Sequence, residues 1–311
     1  MHWLHRVLWA LSIWTCAAPA GAQTCPPAPQ PLTPELFAQA APHARDRGLL
    51  WAISKDGRTS YLYGTLHIGR AQWMAPGPGV KQALQATDVL ALELDPLDES
   101  IQRELASAAG KVQRKLSPRT LRRLQAGWAA ACLPAAGLAD GAPELKVFDL
   151  VVAAAMREGL SPLYGSEILL SLAARGISRP VVSLESPAQQ LRALLAKDDA
   201  EAEEFVSATL DDLEQGKGRA VALKTADVWE RGDIAELGRY PQWCECVDTD
   251  SERKLLKRLL DDRNPGLADG VDRLHMQGKS VLAAVGALHL PGAGGIVELL
   301  KKKGYAVHRV H

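Results

Sequence analysis

The chain has 311 residues, 47% hydrophobic and 23% charged, a composition that excludes collagen-like, wholly disordered and polytopic membrane proteins. Its 36 basic and 36 acidic residues cancel, so no net field recommends a nucleic acid or another polyanion as partner.

The first residues follow an export pattern. His2, His5 and Arg6 precede an apolar run at 7–18, and Ala20-Gly21-Ala22 supplies small residues at a cleavage position. Residues 1–22 are therefore expected to be a signal peptide, and the mature protein to lie in the periplasm of a Gram-negative host or outside the cell. The run is shorter than the roughly 20 residues a span needs, so no membrane span is expected after cleavage. A Pro- and Ala-rich leader follows at 23–47, then one α/β domain at 48–311. After cleavage Cys25, Cys132, Cys244 and Cys246 remain, in a compartment that permits disulfides. A Cys244–Cys246 bond would close a small strained ring. Cys25 and Cys132 are thus each expected to pair with one of that couple, in either combination.

Apolar segments at 49–54 and 60–63 flank Asp56-Gly57, which predicts a β-hairpin. A short helix at 80–87 leads to an apolar strand at 88–95 that ends in acids. From 96 to 240 the spacing of apolar residues is helical, with helices at 119–132, 148–158, 168–174, 186–196 and 200–213 and one strand at 180–184. Helices at 250–260 and 267–277, a strand at 280–285, a helix at 296–303 and a strand at 305–310 close the chain. The fold class is α/β: a mixed β-sheet core formed by the N- and C-terminal parts of the chain, with a large, mostly helical insertion between them.

Two Gly-x-x-His motifs, GTLH at 64–67 and GALH at 286–289, each follow an apolar strand. Each histidine should emerge at a strand's carboxyl end, where open α/β sheets place their ligand sites. Glycine there permits an unusual backbone angle or a close approach. Glu93 and Asp95 lie two apart in a strand, hence on one face. His67, His289 and Glu93 together make a donor set for a divalent metal ion, Mn, Co or Zn, with open positions for water. An alternative stays open at this point: that Glu93 pairs with a buried arginine. Arg263 and Asn264, just ahead of Pro265, are placed to stabilise an oxyanion or to orient the substrate or Glu93. Asp95 or Glu167 is placed to act as general base, and Glu185 is a further acid at an element boundary. The HExxH, GxSxG, Walker and GxGxxG patterns are absent.

The blocks SYLYGTLHIG, LALELD, YGSEILLSLAARGISRPVVSLESPAQQL, DDRNPGLADGV and VLAAVGALHLPGAGGIVELLKKKGYAV, in that order, resemble the TraB/GumN family, which includes the Tiki proteins. The resemblance implies a metal-dependent protease with the metal at His67, Glu93 and His289 and with Arg263 and Asn264 nearby. The resulting expectation is an exported metal-dependent hydrolase, most simply a peptidase with a peptide or protein substrate. Two alternatives accompany it: a non-catalytic envelope protein that binds a peptide, glycan or metal in polysaccharide assembly or export, and a metal-assisted esterase.

Overall fold

Six strands form one mixed sheet: β1 (Leu49–Lys55), β2 (Arg58–Thr65), β3 (Val89–Leu92), β4 (Val181–Ser183), β5 (Val281–Gly286) and β6 (Ala306–Arg309), in the computed structural model, which describes residues 25–139 and 141–311. The signal peptide expected at 1–22 lies outside the described residues. The sheet order is β4-β3-β5-β2-β1-β6. β5 runs parallel to both β2 and β3, and β4 is parallel to β3, so these four strands point their carboxyl ends the same way. β1 and β2 form the expected hairpin, with Lys55 opposite Arg58. Asp56 and Gly57 both have positive φ (51° and 72°), as a two-residue turn matched to the twist of the strands requires.

The central strands read as unbroken apolar runs, VLAL in β3 and VLAAV in β5, and every one of those residues is buried. Such runs suit strands covered on both faces, since no side chain of theirs meets water. Helices Pro78–Gln85, Ser166–Gly176, Asn264–Met276 and Ile296–Lys302 supply the cover, and Val80, Leu170, Leu267 and Ile296 join the strands in one core.

The insertion has a second core of its own. Leu124, Trp128, Val147, Leu150, Val206 and Leu210 pack together from helices Pro118–Ala130, Pro143–Met156 and Asp199–Glu214. Ser117, Ser186 and Asp198 start helices by accepting hydrogen bonds from exposed N–H groups of the first turn, with a full capping box at Ser186. Helices Glu99–Gly110 and Lys217–Glu230 add to those read from the sequence. The second ties the insertion to the sheet, because the Trp229 Nε1–H donates to the carbonyl of Gly64 (2.8 Å) at the exit of β2. Among the described residues no helix is long and apolar enough to cross a membrane.

The cysteines pair differently from the expectation. The bonds are Cys25–Cys132 and Cys244–Cys246, with Cα–Cα distances of 5.6 and 5.1 Å. The small ring closes because Glu245 between the two cysteines takes φ of 51°, which turns the chain back on itself. The other bond fastens the leader to the turn after helix Pro118–Ala130.

Candidate functional site

The two Gly-x-x-His segments meet at the carboxyl ends of β2 and β5, with Thr65 in register with Gly286. Their glycines serve close approach, and neither has positive φ. A Cβ on Gly64 would stand 2.6 Å from a methyl of Leu290 and 3.2 Å from Ala287. A Cβ on Gly286 would lie 3.2 Å from Glu93 Oε1, 3.4 Å from His289 Cδ2 and 3.7 Å from His67 Nε2. The three side chains named as metal donors thus converge on the bare Cα of Gly286.

Each is oriented by a partner. The segment after His67 pairs with residues 161–166: Gly69 and Ser161 exchange backbone hydrogen bonds, and the Leu66 N–H donates to Ser166 Oγ (2.7 Å). This pairing brings Glu167, one residue on, to His67, with Oε1 2.8 Å from Nδ1. The His67 ring itself stands open to the cavity, its side chain 69% accessible. The adjacent Glu167 carboxylate pushes the His67 pKa up to about 9. His289 is buried in the single turn Ala287–His289, and its Nδ1 lies 2.6 Å from Asn264 Oδ1. An amide oxygen only accepts, so Nδ1 carries the hydrogen and Nε2 keeps its lone pair. Burial, helped by Arg263 and His67, lowers the His289 pKa to about 4.

Glu93 accepts a hydrogen bond from the Gly286 N–H (2.7 Å) and forms an ion pair with Arg263. Burial works against its charge, but His289, His67, Arg263 and that N–H prevail and hold its pKa down at about 2. Arg263 is also bonded to Glu185, whose Oε1 accepts from Nε at 3.0 Å and Oε2 from Nη2 at 2.6 Å. Glu185 reaches this position because the chain past β4 stays beside the chain past β3, its N–H donating to the carbonyl of Glu93 (3.1 Å). The pairing of Glu93 with a buried arginine, left open by the sequence, is therefore present, and Arg263 is shared between two buried carboxylates. Arg263 Nη1 also comes within 3.3 Å of His289 Nε2.

Two expected residues have other places. β3 ends at Leu92, so Glu93 and Asp95 do not share a strand face. Asp95 turns to Arg175 (2.7 Å) and the hydroxyl of Ser171 (2.8 Å), away from the two histidines. Asn264, the first residue of its helix, gives its amide oxygen to His289 Nδ1–H and one amide hydrogen to the carbonyl of Gly294 (2.9 Å), and it stands behind His289, outside the residues that line the cavity. Glu185, seen in the sequence only as an acid following a strand, is the added member of the site.

His67, Glu93, Glu167, Arg263 and His289 occupy one end of a cavity of about 610 Å³, which the helices of the insertion wall on its other sides. The donor chemistry suits a divalent ion: two imidazoles with Nδ1 engaged by a carboxylate or an amide, and a carboxylate, gathered where a Cβ would fit. They do not form a closed cage, for among the described residues no group of three His, Cys, Asp or Glu stands assembled around a metal position.

Replacing Glu167 with glutamine removes the charge that keeps a proton on His67. The His67 pKa should fall from about 9 toward its ordinary value near 6.5. Imidazole proton chemical shifts recorded against pH on metal-free protein give the answer, and an unmoved titration would mean that Glu167 is not the source of the shift.

An α/β sheet with paired Gly-x-x-His segments at adjacent parallel strand ends, under a helical insertion, defines the class of the protein. A profile of the TraB/PrgY/gumN family matches residues 49–309, and the chain belongs to that family. No curated protein and no solved structure matches it.

Proposed function

We propose that the protein is an exported metal-dependent hydrolase that cleaves amide bonds in peptides. The observation that carries this reading is the convergence of His67, Glu93 and His289 on Gly286 at one end of a large cavity. These three residues would hold a divalent ion of Mn, Co or Zn type. When bound, such an ion lowers the pKa of water and polarises a carbonyl.

The chain's own residues have separate tasks. Asn264 fixes the His289 tautomer so that Nε2 keeps a lone pair with which it would hold an ion, and Glu167, at Nδ1 of His67, would leave that ring's Nε2 for the same use. Arg263, braced by Glu185, orients Glu93 beside the two histidines. Of the two acids considered as base, only Glu167 lines the cavity; the neighbouring His67 keeps it ionised and able to take a proton. The two disulfides fit an oxidising compartment, which supports export.

One observation favours a second reading, a non-catalytic envelope protein: Arg263 already neutralises Glu93, so the centre is stable without an ion. Metal content and cleavage separate the two. The purified protein is expected to retain one equivalent of Mn, Co or Zn and to cleave a peptide library in a manner abolished by chelator and restored by the ion. Binding of peptide with neither metal nor cleavage would decide for the second reading.

A further inference from the structure

The ionisable residues that line the cavity are His67, Glu93, Glu167, Arg263 and His289, and all five lie at its strand-tip end. Every one is engaged by another protein group, His67 by Glu167, Glu93 by Arg263, His289 by Asn264. The rest of the wall is uncharged and mostly apolar: Leu105, Phe148, Ile168 and Leu194 come from the insertion, and Leu259 and Leu260 from the end of the helix that follows it. These side chains are half-buried, neither packed into a core nor fully in water. Phe148 is steadied from behind by Phe205, with ring centroids 5.4 Å apart.

Polar side chains are spaced among them. Gln102 lies three residues before Leu105 on helix Glu99–Gly110, and Gln190 four residues before Leu194 on helix Pro187–Leu194. Residues so spaced share a helix face, so each wall presents an amide one turn from a leucine, Gln102 with its Nε2 donating to the carbonyl of Pro96 (3.3 Å) and its oxygen left to accept. An amide both donates and accepts, as a peptide backbone does, whereas an acyl chain passing the same surface would leave the half-buried Gln190 amide unpaired.

From this arrangement we infer the substrate class, on the footing of the hydrolase reading above: a peptide segment whose side chains around the reacting amide are bulky and uncharged. An aliphatic or aromatic side chain fills the leucine and phenylalanine wall. A carboxylate or ammonium carried there would lose its water and find no free counter-charge. Leu105 and Leu194 set this preference, and Gln102 and Gln190 hold the main chain.

The test is binding, measured apart from turnover. Fluorescence anisotropy of the purified protein, with chelator present, compares a labelled uncharged Leu/Phe peptide with analogues carrying Glu or Lys at the same positions, and with a labelled dodecanoyl probe. The apolar peptide should bind at least tenfold more tightly than either charged analogue and more tightly than the acyl probe. Leu105→Lys should weaken the apolar peptide and strengthen the Glu analogue, whereas Leu105→Met should keep the wild-type order. Thermal melts check that both variants fold. Equal binding of the three peptides, an order unchanged by Leu105→Lys, or tighter binding of the acyl probe would each overturn the assignment. If the selectivity holds but the metal-loaded protein cleaves nothing, the hydrolase reading fails and this one stands. If charged peptides are cleaved as fast as apolar ones, the outcome is the reverse.

Discussion

Arg263→Met should cost the metal-free protein about 3–5 kcal/mol of stability at pH 7, the range for removing one partner of a buried ion pair. The expectation is toward the upper part of it, because two carboxylates lose their counter-charge: the Glu93 and Glu185 side chains are only 5% and 6% accessible. Acid should relieve the loss. In the wild type Glu93 has a pKa of about 2 against an ordinary 4.5, so its contribution is fully present above pH 4.5 and disappears as pH falls through 2. Without Arg263 the buried Glu93 carboxylate loses one of the charges that hold its pKa down and takes up a proton at higher pH, so the gap between variant and wild type narrows from pH 7 to pH 4. Arg263→Lys should fall between the two, since one ammonium cannot reproduce a guanidinium shared by two carboxylates. Urea midpoints at the two pH values measure all of this. A variant as stable as wild type at pH 7 would show that the cluster is hydrated in solution and that Arg263 does not hold it together.

The second large effect concerns His289. His289→Ala should reduce kcat/KM for amide cleavage by about 10³-fold or more, about 4 kcal/mol at 1.36 kcal/mol per decade, and should strip the protein of metal. Asn264→Ala keeps the imidazole but frees its ring and tautomer, so the loss in metal affinity should be smaller, about 10- to 100-fold. The graded pair matters because a merely structural role for His289 would make both variants lose stability together with no ordering in metal content. pH gives a further handle. With its pKa near 4, His289 is neutral at pH 6 and above, while His67 near 9 carries a proton that an ion must displace. Metal binding should therefore tighten as pH rises from 6 to 9, and equilibrium dialysis would reveal a flat profile if His67 were not a ligand.

The parts of this structure legible in the sequence are those with a local signature. β3 and β5 show themselves as continuous apolar runs, the β1–β2 turn as Asp-Gly, and the two histidines as residues just past apolar strands. Helix Glu99–Gly110 is harder to read because none of its residues is fully buried, so no strong apolar stripe marks it. The Asp95 assignment rested on a strand continuing to 95; the strand stops at Leu92, and the alternation that would place Glu93 and Asp95 together ends with it. The remaining losses are non-local. Nothing near Glu185 announces that its partner is Arg263, 78 residues away, and nothing near Cys25 announces Cys132 at a separation of 107. Such pairings follow from the assembled sheet and insertion, which spacing along the chain does not encode.

The position of β5 between β2 and β3 also sets an order of events during synthesis. Val281 hydrogen-bonds to Ser60 across a separation of 221 residues, so β2 and β3 have no strand between them until the chain has been made through β5. The insertion, with its own apolar cluster, can condense earlier, whereas the sheet must wait for its last long-range contact, a slow step in any topology. His289 arrives after β5, so a nascent or truncated chain that stops before it lacks the assembled centre. The centre is therefore among the last parts of the domain to form, at the tips of a sheet whose strands β2 and β3 are made long before the β5 that joins them.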